Sequence, residues 1–150
     1  MLIDKARNDL SRISSYVKIE RYKDLQYFSH VLHLESIVSA KLPENFSTEK
    51  IFTDIFPSGT LSGTPKYKAI ELIDEFENIS RGIYGGSIGF FTLDGNVNTA
   101  IIIRYYLSKN NTLFTHAGAG VIADSTEENE LREVNNKLTS LNKSIIYAKK

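Results

Sequence analysis

The first half of the chain changes the spacing of its apolar positions several times, and each spacing predicts a different element. Residues 2–10 repeat apolar side chains about every 3.6 positions, which is typical of a helix. Residues 17–22 and 31–42 alternate β-branched or apolar side chains with polar ones, which predicts two strands with one buried face each. Residues 48–55 predict a short helix after Ser47, although the acid that would complete a capping box is missing.

A segment rich in glycine and small polar residues, 58–66, separates this short helix from the next one. Its two glycines permit backbone angles that other residues avoid. Thr64 followed by Pro65 is typical of the N-cap and first position of a helix. The apolar positions that follow share one face, so we predict a helix that continues to about Phe76.

The second half of the chain predicts an antiparallel meander followed by a helix. Strand-like runs occupy residues 87–93, 97–107 and 112–117, and Asp-Gly-Asn and Lys-Asn-Asn sequences join them as hairpin turns. Ser125 and Glu128 form a capping box before a long amphipathic C-terminal helix. The fold class predicted from these elements is α+β, mostly antiparallel sheet, with a helix after the glycine-rich loop and a long C-terminal helix.

Composition narrows the class of protein. A length of 150 residues, 41% hydrophobic and 24% charged, is ordinary for one globular domain. Basic and acidic residues balance at 18 each, so no global field attracts nucleic acid or anionic lipid. The chain has no cysteine, which excludes disulfides and thiol chemistry and agrees with a reducing compartment. Its apolar runs are too short to span a bilayer, so we expect a cytoplasmic protein with neither a nucleic-acid nor a membrane partner.

Three charged residues share one face of the predicted C-terminal helix. Glu130, Glu133 and Lys137 follow a spacing of i, i+3 and i+7. Paired carboxylates suit Mg²⁺, which takes only one or two protein oxygens and keeps several waters. A solvated helix face is the more common explanation of such a pattern, and Glu133 with Lys137 is also an ordinary i, i+4 pair.

Other candidate side chains lie in strands and turns. Arg104 interrupts an apolar run, where a guanidinium can bind a carboxylate through two hydrogen bonds, and the amides of residues 117–120 suit the same anion. A lone strand arginine is more often structural. His33 can act as an acid or a base, as histidine side chains do in many sites, although structural histidines are more common. Tyr84, between two glycines, either presents its phenol to a ligand or packs in the turn.

The residues alone therefore lead to a limited functional hypothesis. The chain has no metalloprotease helix, Walker loop, dinucleotide fingerprint or serine-nucleophile elbow. What is left is an α+β domain that can bind a small carboxylate through Arg104 and a cation through Glu130 and Glu133.

Seven segments follow one another along the chain in a specific order. They are Ala6-Arg7-Asn8-Asp9-Leu10, Ser29-His30-Val31-Leu32-His33-Leu34, Phe56-Pro57-Ser58-Gly59-Thr60-Leu61-Ser62-Gly63-Thr64-Pro65-Lys66, Arg81-Gly82-Ile83-Tyr84-Gly85-Gly86, Thr99-Ala100-Ile101-Ile102-Ile103-Arg104, His116-Ala117-Gly118-Ala119-Gly120 and Asn136-Lys137. Taken together, they resemble the C-terminal region of the chorismate-binding enzymes, which include anthranilate, aminodeoxychorismate, isochorismate and salicylate synthases. The likeness extends from Leu2 to about Ala148 and implies the C-terminal portion of that fold.

The resemblance implies chorismate as the substrate, with one of its two carboxylates held by Mg²⁺ and the other by protein donors. Glu133 matches the family's C-terminal magnesium-binding glutamate. Glu130 lies beside it as a second or water-mediated ligand. Lys137, one turn further on, is expected to balance or orient these carboxylates.

The enolpyruvyl carboxylate and the reacting ring have their own matched residues. Arg104 and Tyr84 match residues that hold the carboxylate, together with backbone amides around Ala119 and Gly120.

Thr60 and Gly59 belong to the loop that approaches the substrate ring. His33 matches a histidine associated with acid–base or pyruvate-elimination chemistry near that ring.

Among family members, the Gly-Thr-Leu-Ser-Gly loop looks most like that of anthranilate synthase, which makes anthranilate and pyruvate from chorismate and ammonia. The ammonia comes from a glutamine amidotransferase subunit. Aminodeoxychorismate and isochorismate or salicylate synthases are the alternatives within the family.

The first helix has no convincing start signal, and family enzymes have a long region before the Arg-Asn-Asp-Leu motif. That region supplies a second magnesium-binding glutamate and much of the amidotransferase interface. We therefore expect residues 1–150 to form a partial chorismate-binding domain that is inactive alone, either as a fragment of a longer polypeptide or as one half of a split enzyme with a separate N-terminal half. A non-catalytic binding relic and a truncated fragment remain alternatives, and a large exposed apolar face is the expected sign of the fragment.

Overall fold

Helices and one long hairpin form the first of two units in the computed structural model, which describes residues 2–27 and 32–148. The first unit comprises Met1–Phe76 with Phe91–Val97, and the second comprises Glu77–Phe90 with Asn98–Lys150. In chain order, the elements of the first unit are α1 (Leu2–Ser11), β1 (Val17–Tyr27), β2 (Leu32–Ala40), α2 (Thr48–Ile55), α3 (Gly59–Ser62) and α4 (Lys66–Phe76).

The hairpin of β1 and β2 is antiparallel, with Val17 opposite Ala40 and Tyr27 opposite Leu32. β1 is five residues longer than predicted, because pairing with β2 continues beyond Lys23 as far as Tyr27. Its register shifts near Lys23, whose φ of 53° is left-handed. Val31, the predicted start of β2, lies outside the described residues.

The helices of the first unit lie where the pattern predicted them, apart from the cap of α4 and the additional short helix α3. Ser47 caps α2 by accepting the Lys50 amide at 3.2 Å, so the helix forms without the missing acid. The Ala69 amide donates to the Pro65 carbonyl at 2.9 Å, so Pro65, and not Thr64, takes the cap position of α4. The glycine-rich segment contains the unpredicted short helix α3, which ends where Gly63 adopts φ 106°.

The second unit holds most of the remaining elements. They are β3 (Ser87–Phe91), β4 (Val97–Ile101), β5 (Leu107–Lys109), β6 (Thr112–Phe114) and α5 (Glu127–Ala148), with the tip of the β3–β4 hairpin assigned to the first unit. Both predicted turns are present. Gly95 adopts φ 85° between β3 and β4, and Asn110 and Asn111 adopt 51° and 57° between β5 and β6, as a type I′ turn requires.

The predicted single strand over residues 97–107 is wrong. β4 stops at Ile101, the amide of Ile102 then donates to the Gly86 carbonyl, and the backbone bends at Arg104 with φ 52°. Within the described residues, β3 pairs with β4 and β5 with β6, so two separate hairpins replace the predicted meander. A left-handed residue inside an apolar run carries no periodic signal, which is why the pattern missed it.

The long C-terminal helix is present, but its predicted capping box is not. α5 begins at Glu127, and the Glu130 amide donates to the Thr126 carbonyl. The Ser125 amide donates to the Ile122 carbonyl, so it is not the partner of Glu128. In the part of the chain that the structure describes, no helix is long and apolar enough to cross a membrane.

The apolar side chains of the described residues are partly or largely exposed to solvent. Among the described residues no hydrophobic side chain is buried, so the faces of β1 and β2 predicted to be buried are not covered. The chain exposes 11847 Å², whereas a monomer of this mass typically exposes about 7,700 Å². Leu34 in β2 is 68% exposed and Phe90 in β3 is 58% exposed. The expected large apolar surface is therefore present.

We expect the isolated chain to bind 1-anilinonaphthalene-8-sulfonate and to associate as its concentration rises, because contiguous exposed apolar surface attracts both the dye and other chains. Dye fluorescence and sedimentation velocity measure the two effects. A cooperative calorimetric transition from a strictly monomeric sample that binds no dye would contradict this expectation.

Candidate active site

Lys137 links the C-terminal helix of the second unit to the Ala-Gly-Ala-Gly loop. Its Nζ lies 2.6 Å from Glu133 Oε1, which confirms the predicted i, i+4 pair. The same ammonium donates to the Gly118 carbonyl at 2.8 Å. One half-exposed lysine thus holds a helix carboxylate and the loop carbonyl together, which fixes the loop beside α5.

Glu130 lies one turn before Glu133 on α5. One of its carboxylate oxygens accepts a hydrogen bond, and the other has no hydrogen-bond partner among the described residues. Its Oε1 accepts a hydrogen bond from Ser125 Oγ at 2.5 Å, and that hydroxyl in turn accepts the Ile122 amide at 3.0 Å. Its Oε2 is buried without a hydrogen-bond partner in the described structure. A buried carboxylate oxygen that lacks a donor is costly unless a ligand satisfies it, so this atom is suited to a cation or an ordered water.

A cavity of about 450 Å³ lies beside this carboxylate, and Ala119, Ser125, Glu130 and Val134 are among its lining residues. The described residues contain no group of three or more His, Asp or Glu side chains that would enclose a metal. Mg²⁺ needs only one or two carboxylates because it keeps several waters. Glu130 lines the cavity, whereas Glu133, whose Oε1 is paired with Lys137, is not among its lining residues.

Tyr84 approaches the same loop from a turn that follows Arg81. Its amide donates to the Arg81 carbonyl at 3.0 Å, and its ring stacks on His116 with centroids 4.6 Å apart and planes 8° from parallel. A methyl group built on Gly118 would lie 3.3 Å from the phenol oxygen. The phenol and the Lys137 ammonium therefore both reach Gly118, and the absence of a side chain there leaves room for the phenol.

An ion pair flanks the aromatic stack. Arg81 Nε donates to Glu77 Oε2 at 2.7 Å, and a terminal guanidinium nitrogen pairs with the other carboxylate oxygen. The Arg81 guanidinium carbon lies 5.8 Å from the Tyr84 ring centroid, within cation–π range. The hydrogen bond from Arg81 lowers the pKa of Glu77, and the same bond raises the pKa of Arg81.

His116, Glu77 and Arg81 were not predicted as site residues. The stack of Tyr84 on His116 is a contact between distant positions, and no local spacing signals it. The Glu77–Arg81 pair follows an i, i+4 spacing, which was the available signal.

Arg104 does not occupy the predicted strand position. It is exposed and follows β4 in a left-handed bend. No hydrogen bond or ion pair joins it to another residue in the described ranges. The predicted orientation of Arg104 assumed that side chains alternate between the two faces of a strand. Because the backbone bends at Arg104, this alternation does not apply to it. Gly120, also exposed, has open space around it.

The remaining candidates, His33 and Thr60, belong to the first unit. His33 is exposed in β2, opposite Gln26. The Thr60 hydroxyl lies 2.7 Å from Ser58 Oγ at the start of α3. Thr60 also lines a cavity of about 380 Å³ together with Asp9 and Ser36.

A family model described as chorismate binding enzyme matches residues 1–143. The chain belongs to the chorismate-binding enzyme family. Two curated relatives in this family are named anthranilate synthase component 1. The protein from Aquifex aeolicus is 41% identical over 150 residues, 99% of this chain and 30% of its own length. The protein from Mycobacterium tuberculosis H37Rv is 43% identical over 150 residues, 99% of this chain and 29% of its own length.

Solved structures agree with the sequence match. Anthranilate synthase component I from Streptococcus pneumoniae superposes with a TM-score of 0.84 at 38% identity, covering 94% of this chain and 33% of that one. A putative 2,3-dihydroxybenzoate-specific isochorismate synthase from Bacillus anthracis superposes with a TM-score of 0.82 at 26% identity, covering 96% of this chain and 39% of that one.

The chorismate-binding resemblance and the α+β fold class predicted from the sequence are thus confirmed. The chain spans about 30% of the length of the curated relatives it matches. The site roles of the individual residues stay predictions.

The Arg81→Gln variant should return the pKa of Glu77 towards its ordinary value of 4.5, because the largest cause of the lowered pKa is the guanidinium hydrogen bond. Since the folded pKa is depressed, the pair stabilises the fold above the ordinary pKa and loses that effect as the pH falls through the folded value. The pKa of Glu77 is measured from the chemical shift of its carboxyl carbon in an NMR titration.

Lys143→Gln is the matched control, since Lys143 is an exposed cation of the same unit that is not paired with Glu77. The pKa of Glu77 should not change in this control. An equal change in both variants, or none in Arg81→Gln, would show that the ion pair does not set the pKa of Glu77.

Proposed function

We propose that this chain supplies the C-terminal part of an anthranilate synthase active site, a lyase that converts chorismate and ammonia into anthranilate and pyruvate in tryptophan biosynthesis. The curated relatives that carry this name are 40–44% identical and align with 91–99% of this chain. The observation that carries the proposal is the convergence of the Tyr84 phenol and the Lys137 ammonium on Gly118, next to the cavity that Glu130 lines.

In this proposal the loop of residues 117–120 receives the enolpyruvyl carboxylate of chorismate. The Tyr84 phenol is a hydrogen-bond donor at the loop, and stacking on His116 restricts its ring rotation. Backbone amides around Ala119 and Gly120 add neutral donors that suit a carboxylate. Arg104 supplies the positive charge that makes such hydrogen bonds stronger and shorter.

The two glutamates of α5 would hold Mg²⁺. Bound there, Mg²⁺ would supply a positive charge that orients the ring carboxylate of chorismate and screens its charge. Glu130 offers its open Oε2, while Ser125 holds Oε1 and so fixes the plane of the carboxylate. Lys137 holds Glu133 at 2.6 Å and compensates part of the negative charge of the two carboxylates.

His33 and Thr60 act on the substrate ring. The imidazole of His33 can accept or donate a proton during loss of the allylic hydroxyl or of pyruvate. The Thr60 hydroxyl, oriented by Ser58, contacts the ring.

Further ligands come from outside these residues, because the chain covers about 30% of its curated relatives. We assign the second magnesium-binding glutamate and the glutamine amidotransferase interface to the region that precedes the Arg-Asn-Asp-Leu motif in the family. That region can be a separate N-terminal half. The isolated chain is then inactive, and a complex with the remaining region is the catalytic species.

Isochorismate synthesis is the second candidate, supported by the solved structure at 26% identity and a TM-score of 0.82. The two reactions share chorismate and differ in the nucleophile, which is ammonia in one and water in the other. Product analysis separates them.

We expect the purified chain to form no anthranilate from chorismate, Mg²⁺ and ammonia, and to form it after mixing with the N-terminal region of a relative. Anthranilate fluorescence measures the product, and chromatography detects isochorismate. The N-terminal region alone is the control. If a folded mixture that binds chorismate makes neither product, the catalytic proposal fails and a binding relic is the better description.

Glu130→Gln should raise the Mg²⁺ concentration for half-maximal activity of the mixture at least about tenfold, since loss of even an outer-shell contact costs that much. Calorimetric titration with Mg²⁺ provides a readout that does not depend on turnover.

The matched control is Glu128→Gln, an exposed glutamate in the first turn of the same helix. It should leave the Mg²⁺ requirement unchanged. An unchanged requirement in Glu130→Gln would remove Glu130 from the metal site.

A further inference from the structure

Asp9 and Lys66 form a buried ion pair between α1 and α4 in the first unit. Lys66 Nζ lies 2.7 Å from Asp9 Oδ1, and both side chains are 10% exposed. The ammonium also donates to the Ile55 carbonyl at the end of α2, at 2.7 Å. The second oxygen, Asp9 Oδ2, accepts the Gly59 amide at 3.1 Å. Two side chains thus connect all four helices of this unit.

The pair is a poor source of net stability. Removing two charges from water costs free energy that the attraction between them recovers only in part, and apolar replacements of such pairs are often neutral or stabilising. A pair of apolar side chains cannot reproduce the directional hydrogen bonds of Asp9, because only a carboxylate accepts both the Lys66 ammonium and the Gly59 amide. The pair therefore contributes a defined geometry more than it contributes stability.

The element that depends on this geometry is α3. A helix of four residues has no stability of its own, since isolated helices shorter than roughly 12 residues are marginal in water. Its first residue sits directly over the carboxylate, where a methyl group built on Gly59 would lie 3.3 Å from Asp9 Oδ2. The position of α3 is consequently set from outside, by Asp9 and by the cap residue Ser58.

Thr60 is the side chain that α3 places. Its hydroxyl lies 2.7 Å from Ser58 Oγ, and its amide donates to the same oxygen at 3.4 Å. The residue between them is Gly59, which Asp9 holds. A continuous series of contacts therefore leads from Lys66 through Asp9 and Gly59 to the Thr60 hydroxyl at the cavity of about 380 Å³.

We propose that Asp9 and Lys66 are positioning residues that fix the α3 turn and thereby set where the Thr60 hydroxyl meets the substrate ring. The kinetic part of this proposal rests on the proposed function, in which Thr60 contacts chorismate. Neither residue touches the substrate, and both act through the Gly59 amide.

The decisive variant replaces both charges together, Asp9→Leu with Lys66→Met, in the chain mixed with the N-terminal region of a relative. This avoids stranding one buried charge, so the fold is retained. We expect kcat/KM for chorismate to fall by about 10- to 100-fold, because a small misplacement of a substrate-positioning group has that effect. Thermal unfolding should change little. A purely structural role would instead lower the melting temperature and leave kcat per folded molecule unchanged.

The matched control removes an exposed ion pair from the same helix, Lys68→Met with Glu71→Leu, whose side chains are 62% and 66% exposed. Its kcat/KM should equal that of the unmodified chain. Asp9→Asn with Lys66→Met is a second variant, which keeps an acceptor for the Gly59 amide without stranding a buried ammonium and should lose less activity than the double apolar variant.

Amide hydrogen exchange at residues 59–62 gives a readout that needs no turnover. Exchange there should become faster in the double apolar variant and stay unchanged in the control. If the unmodified mixture makes no product, the proposed function fails, and the exchange rates alone decide the positioning proposal. Unchanged exchange, or full kcat/KM in an active mixture, would overturn the positioning proposal.

Discussion

The carboxylate of Asp9 is the interaction on which the arrangement of the first unit depends. It is the buried charged residue of the described structure, and it accepts a lysine ammonium and a backbone amide from two different elements. With no enclosed apolar side chains among the described residues, such directional contacts determine how the helices meet. The Arg-Asn-Asp-Leu and Gly-Thr-Leu-Ser-Gly segments are far apart in the sequence, and this carboxylate is where they join.

The second unit uses the same arrangement. Lys66 spans a carboxylate and the Ile55 carbonyl, while Lys137 spans a carboxylate and the Gly118 carbonyl. In the second unit the lysine itself holds a glycine-containing segment, whereas in the first unit the carboxylate paired with the lysine, that of Asp9, holds Gly59. Each fixed segment carries a candidate site residue or lies next to one, Thr60 in the first unit and Tyr84 in the second.

The sequence predicted elements whose signals are local. Apolar periodicity located α1 and α4, and asparagine and glycine located the hairpin turns. The break at Arg104 escaped prediction because a left-handed backbone does not alter the pattern of side chains. Of the site, the Glu133–Lys137 pair followed from helix spacing, whereas the stack of Tyr84 on His116 depends on chain segments 32 positions apart. The resemblance to a family supplied roles that spacing alone left open.

The exposed apolar area also affects how the heat-capacity change is divided between folding of the chain and its association with a partner. Heat capacity rises when apolar surface enters water, and a chain that already exposes 11847 Å² exposes less additional surface on unfolding than a compact monomer of the same mass. The heat-capacity change of its unfolding is then smaller than that of a compact monomer, so its stability curve is less strongly curved. Assembly with a covering surface removes the exposed apolar area from water, so association contributes a negative heat-capacity change of its own.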